Sequence, residues 1–141
     1  MKTKFFVILF FLVVTVSAQA QVNNIESKTD TLKVETPEAV VNLQLEAYNS
    51  RDIDKFVATY SDSIEIYKKG VIIIKGHKQL RETYSKLFDN TPNLYCRIEN
   101  RILINNKVID KENVIANERT LKAVAIYEVM DGKIQKVTFV E

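Results

Sequence analysis

Asp110 and Glu112, in the stretch VIDKE, are the two residues of this chain best spaced for chemistry. Alternate side chains of an extended strand share a face, which sets these carboxylates about 7 Å apart along it. If that face lines a partly apolar cavity, desolvation raises the pKa of one carboxyl and fits it to move protons as an acid or a base. A solvated strand edge near the turn NNK is the plainer reading of the same residues. Tyr127, in the segment LKAVAIYEVM, brings a hydroxyl that a ligand or a neighboring side chain can engage. Asp110, Glu112 and Tyr127 are therefore the candidate catalytic residues.

Other reactive types are sparse. His77, the one histidine, follows Gly76 and reads as a surface residue at a helix start rather than a general base. Cys96, the one cysteine, cannot close an internal disulfide and reads as a buried apolar thiol. With one His and one Cys, a standard zinc site is not expected, and no GxSxG stretch presents a serine. Gly70, Gly76 and Gly132 fall in separate turns, so no phosphate-cradling loop forms and no cofactor is expected. Arg97 and Arg101, in YCRIENR, read as partners for Glu99 or for neighboring strands rather than as an anion site.

The elements that must position these groups change character once along the chain. Thr36-Pro37-Glu38 is a helix start, with an N-cap hydroxyl, a proline whose missing N–H costs nothing and a negative charge near the positive helix end. The spacing predicts a helix to about Ser50, with Val41, Leu45 and Tyr48 inward and Val40, Leu43 and Ala47 widening the stripe. Asp52 caps a shorter helix that turns Ile53, Phe56, Val57 and Tyr60 inward. SIEIYKKGVIIIKG reads as a hairpin about Lys69-Gly70, and a third helix is expected from about His77 to Asp89, burying Leu80, Tyr84, Leu87 and Phe88. From there the period is that of strands. LYCRIENRILI, KVIDKENVIAN, TLKAVAIYEVM and KIQKVTFVE are joined by the turns NNK, ERT and DGK. Helices followed by a long meander predict an α+β fold, three helices packed on one face of a curved antiparallel sheet.

Ahead of this domain, Lys2 and Lys4 precede an apolar run from Phe5 to Val16 that ends in Ala18-Gln19-Ala20, the pattern of a secretory signal peptide cleaved after Ala20. The run is short for a bilayer span, so no stable membrane anchor is expected, and the mature protein is expected to be secreted or periplasmic. Gln21 to Glu35 reads as a flexible polar lead-in, and the domain as 36–141. Loss of Lys2 and Lys4 brings the 20 basic residues to 18, equal to the 18 acidic ones. A neutral domain lacks the electrostatic footprint of a nucleic-acid binder.

AYNSRDIDKFVATYSDSIEIY, KGHKQLRETYSKLF, NRILINNKVIDKE and AIYEVMDGKIQKVTF, in this order, resemble the SnoaL-like branch of the nuclear transport factor 2-like superfamily over roughly Ala39 to Glu141. The resemblance implies a conical fold in which a bent sheet wraps a long first helix around a cavity. It also places the ketosteroid isomerase machinery of that superfamily on this chain, with the tyrosine at Gln44, the base at about Lys68 and the second oxyanion donor at about Ala125. None of these supplies the isomerase chemistry, because a base must accept a proton and an oxyanion needs donors. Leu121, Ala123, Ala125, Tyr127 and Val129 share one strand face, and the resemblance turns that face toward the cavity. Leu45, Tyr48, Ala123, Ala125 and Tyr127 are then the candidate ligand-binding residues. They line either an open pocket for a small apolar molecule or a filled core. The opposite face, with Val124 and Ile126 between charges, suits a homodimer contact. The functions in view are a small-molecule binder, a small lyase or isomerase using a cavity carboxylate and a tyrosine, and a protein interaction module.

Overall fold

Thr36 opens the first helix as its hydroxyl accepts from the Ala39 N–H at 3.2 Å, and α1 runs Pro37–Ser50. In the computed structural model, which describes residues 35–140, the expected leader, its cleavage site and all of the lead-in but Glu35 lie outside the described residues. Val40, Val41, Gln44 and Ala47 make the buried face of α1, steps of three and four that follow the helical turn. Leu43, expected on that stripe, is exposed. It stands one residue, about 100° of rotation, away from the buried Gln44. At the far end Arg51 takes a left-handed conformation (φ 56°) and its N–H closes on the α1 carbonyls.

Asp52 caps α2 (Ile53–Ala58) by accepting from the Lys55 N–H at 3.0 Å. Tyr60 is buried as expected, but from a strand rather than from this helix. Thr59 ends α2 with an N–H bond to Phe56, and its carbonyl accepts from Ile134, which hands the chain to the sheet. β1 (Tyr60–Lys68) and β2 (Val71–Lys75) form the hairpin about Lys69-Gly70, where both residues have positive φ. α3 (Gly76–Asn90) follows and buries Leu80 and Phe88, with Tyr84 and Leu87 half-buried against the same cluster. β3 (Tyr95–Ile104), β4 (Lys107–Ala116), β5 (Arg119–Met130) and β6 (Lys133–Val140) then run as the expected meander.

The six strands lie in the order β2-β1-β6-β5-β4-β3. Every neighboring pair is antiparallel except β1 with β6, so one parallel pairing joins the hairpin to the meander. Register shifts in the β1–β2, β1–β6, β3–β4 and β5–β6 pairs bend the sheet, because each extra residue kinks its strand and increases the twist. The helices close the concave side. Phe56, fully buried, sits at the center of an aromatic cluster with Tyr48, Tyr60, Tyr84 and Phe88, at centroid distances of 4.5 to 6.1 Å. Burial of a side chain of this size stabilizes by about 1.5–3 kcal/mol. The edge strand β3 is clamped to α1 by Asn49, whose side chain donates to the Cys96 carbonyl (2.9 Å) and accepts from the Cys96 N–H (2.7 Å).

Candidate functional site

Three inward positions of β4 set up the site. Val108, Asp110 and Glu112 alternate onto the concave face and are all buried, so the solvated-edge reading of VIDKE does not hold. The reason is topological, since β4 lies between β3 and β5 and the edge strand on that side of the sheet is β3. The two carboxylates have different surroundings. Asp110 is gripped by Arg101, whose Nε and Nη2 each donate at 2.7 Å to one carboxylate oxygen. Arg101 also donates to Asn42 and lies 3.8 Å from Glu38, which ties β3 and β4 to α1. A register shift between Ile98 and Asn100 makes this possible. It reverses the alternation of β3 so that Arg101, not Asn100, stands opposite Asp110. Hydrogen bonding to Asp110 keeps the guanidinium protonated.

Glu112 has no such cation. Its Oε1 accepts from the Tyr127 hydroxyl at 2.7 Å. Burial pushes the carboxyl up to about 7; the Tyr127 hydrogen bond opposes the rise, the Asp110 charge adds to it, and the Arg101 charge, bonded to Asp110 rather than to Glu112, opposes it least. The β4–β5 register places Glu112 opposite Ala123, Asp110 opposite Ala125 and Val108 opposite Tyr127. Glu112 and Tyr127 therefore reach toward each other past Ala125, whose methyl group leaves the span clear. Burial, and next to it the Glu112 charge, hold the Tyr127 phenol far above its ordinary value, so it acts as a neutral donor.

Glu112 and Tyr127 face a cavity of about 490 Å³ enclosed by α1, α3 and strands β1, β2, β3, β4, β5 and β6. Its wall is mostly apolar and aromatic, with Leu45, Tyr48, Tyr84, Leu87 and Phe139 prominent. Leu121, Lys122 and Lys68 also contribute, and all three are exposed, which marks the side open to solvent. Four of the five expected ligand-binding residues, Leu45, Tyr48, Ala123 and Tyr127, lie on this wall. Ala125 does not: it is fully buried in the core beneath the Tyr127–Glu112 hydrogen bond. Ala125 and Val129 pack in the core, while Ala123 borders open space.

The remaining expected groups fall into place around this. Gln44 lines the cavity, buried, while Lys68 lines it at the exposed end. His77 is half-buried at the start of α3, bonded through Nε2 to the Tyr60 carbonyl (2.9 Å) and 3.3 Å from Asp62, away from the cavity wall. Cys96 is buried and also touches the cavity, its thiol pushed up to about 12 by burial and the two nearby carboxylates, so it stays protonated. Arg97 is exposed on β3. Tyr60 and Tyr84 are cavity residues that the sequence did not mark as such, and Gln44 entered only through the resemblance. For Gln44 the signal was available, as a polar residue in register with Val40, Val41 and Ala47 on an apolar stripe. A second hollow of similar volume lies between α1, α2 and the β5–β6 turn, but its charged groups, Glu35, Glu46, Lys55 and Lys133, are all exposed.

Helices first, then a bent, unclosed sheet around a cavity, define a cavity-bearing α+β domain of the nuclear transport factor 2-like kind. Residues 41–137 match the model of the SnoaL-like domain, and the chain belongs to that family. Among curated proteins, none matches the sequence. Several solved structures share the fold. A cystatin-fold protein from Novosphingobium aromaticivorans is 20% identical with a TM-score of 0.70, over 76% of this chain and 99% of that one. An NTF2-like protein of unknown function from Cytophaga hutchinsonii is 13% identical with a TM-score of 0.66, over 77% and 92%. A de novo designed protein with a curved β-sheet is 14% identical with a TM-score of 0.62, over 73% and 82%. At these identities the likeness is one of fold, and a fold shared with a designed protein carries no activity of its own.

Proposed function

We propose that this domain binds a small, mostly apolar molecule in the cavity between α1, α3 and the sheet. One observation carries the reading: a space of about 490 Å³, within the range of small-molecule sites, has aromatic and aliphatic walls and one convergent polar pair, Glu112 with Tyr127. The test is titration with a neutral apolar fluorescent probe such as N-phenyl-1-naphthylamine. Saturable binding at one site that Ala123→Trp abolishes, with the far-UV spectrum intact, supports the reading; binding unaffected by Ala123→Trp contradicts it.

A small lyase or isomerase is the second reading, favored by the Glu112 carboxyl at about 7, which suits a group that gives and takes protons near neutrality. Asp110 is unsuited to that role because Arg101 holds both of its oxygens. Unchanged turnover in Glu112→Gln would remove this reading. A homodimer through the outer sheet face is favored by the isoleucine row Ile102, Ile109 and Ile126, paired across β3, β4 and β5 with Ile102 exposed. Val124→Glu on that face should lower the solution mass to that of a monomer. The leader pattern ending at Ala20 supports secretion, and a mature amino terminus at Gln21 is the expected product.

A further inference from the structure

Charge is distributed unevenly around the cavity. Asp110 and Arg101 neutralize each other through two hydrogen bonds of 2.7 Å, and that guanidinium is turned to Asp110, Asn42 and Glu38. The groups facing Glu112 are Tyr127 from β5, Asp110 from β4, Arg101 and Cys96 from β3, Tyr48 from α1, Tyr60 from β1 and Tyr84 from α3. Arg101 is the one cation in that set, and it is already engaged. Lys68 and Lys122 border the cavity as exposed residues. Tyr127 serves one Glu112 oxygen with a neutral hydroxyl. A buried carboxylate without a counter-charge is costly, and the cost is removed by a proton or by a cation brought in from outside. The walls around it favor the cation, because tyrosine and phenylalanine rings attract positive charge through their faces.

We propose that the molecule this cavity receives carries a protonated amine, which pairs with Glu112 while its apolar body lies among Tyr48, Tyr84, Leu87 and Phe139. The inference rests on the cavity-binding reading and deepens it by naming the chemical class of the ligand. A neutral ligand leaves the ionized carboxylate without a counter-charge, whereas an amine removes the need for the proton that Glu112 otherwise takes up near pH 7. Amine binding is therefore proton-linked. It requires the ionized carboxylate, so affinity is full above pH 7 and falls as the carboxyl protonates below it.

The experiment is calorimetric titration of the protein with a matched pair, naphthylethylamine and naphthylethanol, which differ in the charged group alone. The amine should bind about tenfold or more tighter than the alcohol near pH 8, and lose about tenfold by pH 6, one unit below the Glu112 value. Glu112→Gln should erase the preference for the amine while the alcohol still binds, which also shows that the variant is folded. Equal affinity for the two compounds, or an amine preference that survives Glu112→Gln, overturns the proposal and leaves the cavity reading standing. Failure of both compounds to bind overturns the cavity reading, and this proposal with it.

Discussion

Replacing Glu112 by glutamine should make the protein more stable, and by an amount that depends on pH. The carboxyl is raised from 4.5 to about 7 in the folded state, mainly by burial. Between those two values the folded protein holds a proton on Glu112 that the unfolded chain has released. Stability from this group is therefore full below pH 4.5, declines as pH rises through the window, and is constant above about 7. At about 1.4 kcal/mol per unit, the decline is about 3 kcal/mol. Glutamine has nearly the same shape, its amide oxygen still accepts from the Tyr127 hydroxyl, and it carries no charge to desolvate. Near pH 8 the Glu112→Gln variant should exceed the parent by about 3 kcal/mol, and near pH 4.5 the two should agree to within about 0.5 kcal/mol. Urea unfolding of both proteins across this range measures the difference, and other titrating groups cancel in the comparison. A difference that stays constant with pH, or a variant less stable than the parent near pH 8, would refute the assignment of Glu112 as a buried carboxyl without a cation.

Three further outcomes follow from the packing. Arg101→Met should destabilize by about 3–5 kcal/mol, because it strands Asp110, 1% exposed, without its cation; Arg101→Met with Asp110→Leu should recover most of that in the same urea assay. Ala125→Leu should cost about 1–3 kcal/mol in thermal unfolding, since Ala125 is fully buried where Glu112 and Tyr127 reach past it, while Ala123→Leu at the cavity wall should cost less than 1 kcal/mol. Thr36→Ala should cost about 1 kcal/mol through loss of the α1 cap, and Thr36→Ser should restore it.

Local signals carried most of the fold. The caps at Thr36 and Asp52 and the turns at Lys69-Gly70 and Asp131-Gly132 act within a few residues, and the chain is folded there as its residues predict. What depends on distant partners was harder to read. The parallel pairing of β1 with β6 has no signature in either segment, and burial of Asp110 and Glu112 follows from β4 being an interior strand. The Arg101–Asp110 pair was legible only as a choice among partners, because a shift of one residue near Glu99 decides which side chain of β3 turns inward. Ala123 and Ala125 look alike in the alternation of β5, yet one borders the cavity and the other lies under a hydrogen bond. That difference is set by side chains arriving from β4 and from within β5 itself, at Glu112 and Tyr127.

The most direct test of the central claim is native mass spectrometry of the protein recovered from its own host. The account predicts a folded species carrying a discrete extra mass of small-molecule size, lost on unfolding and missing from Ala123→Trp. A bare polypeptide mass for the parent protein, or the same extra mass on Ala123→Trp, would contradict it.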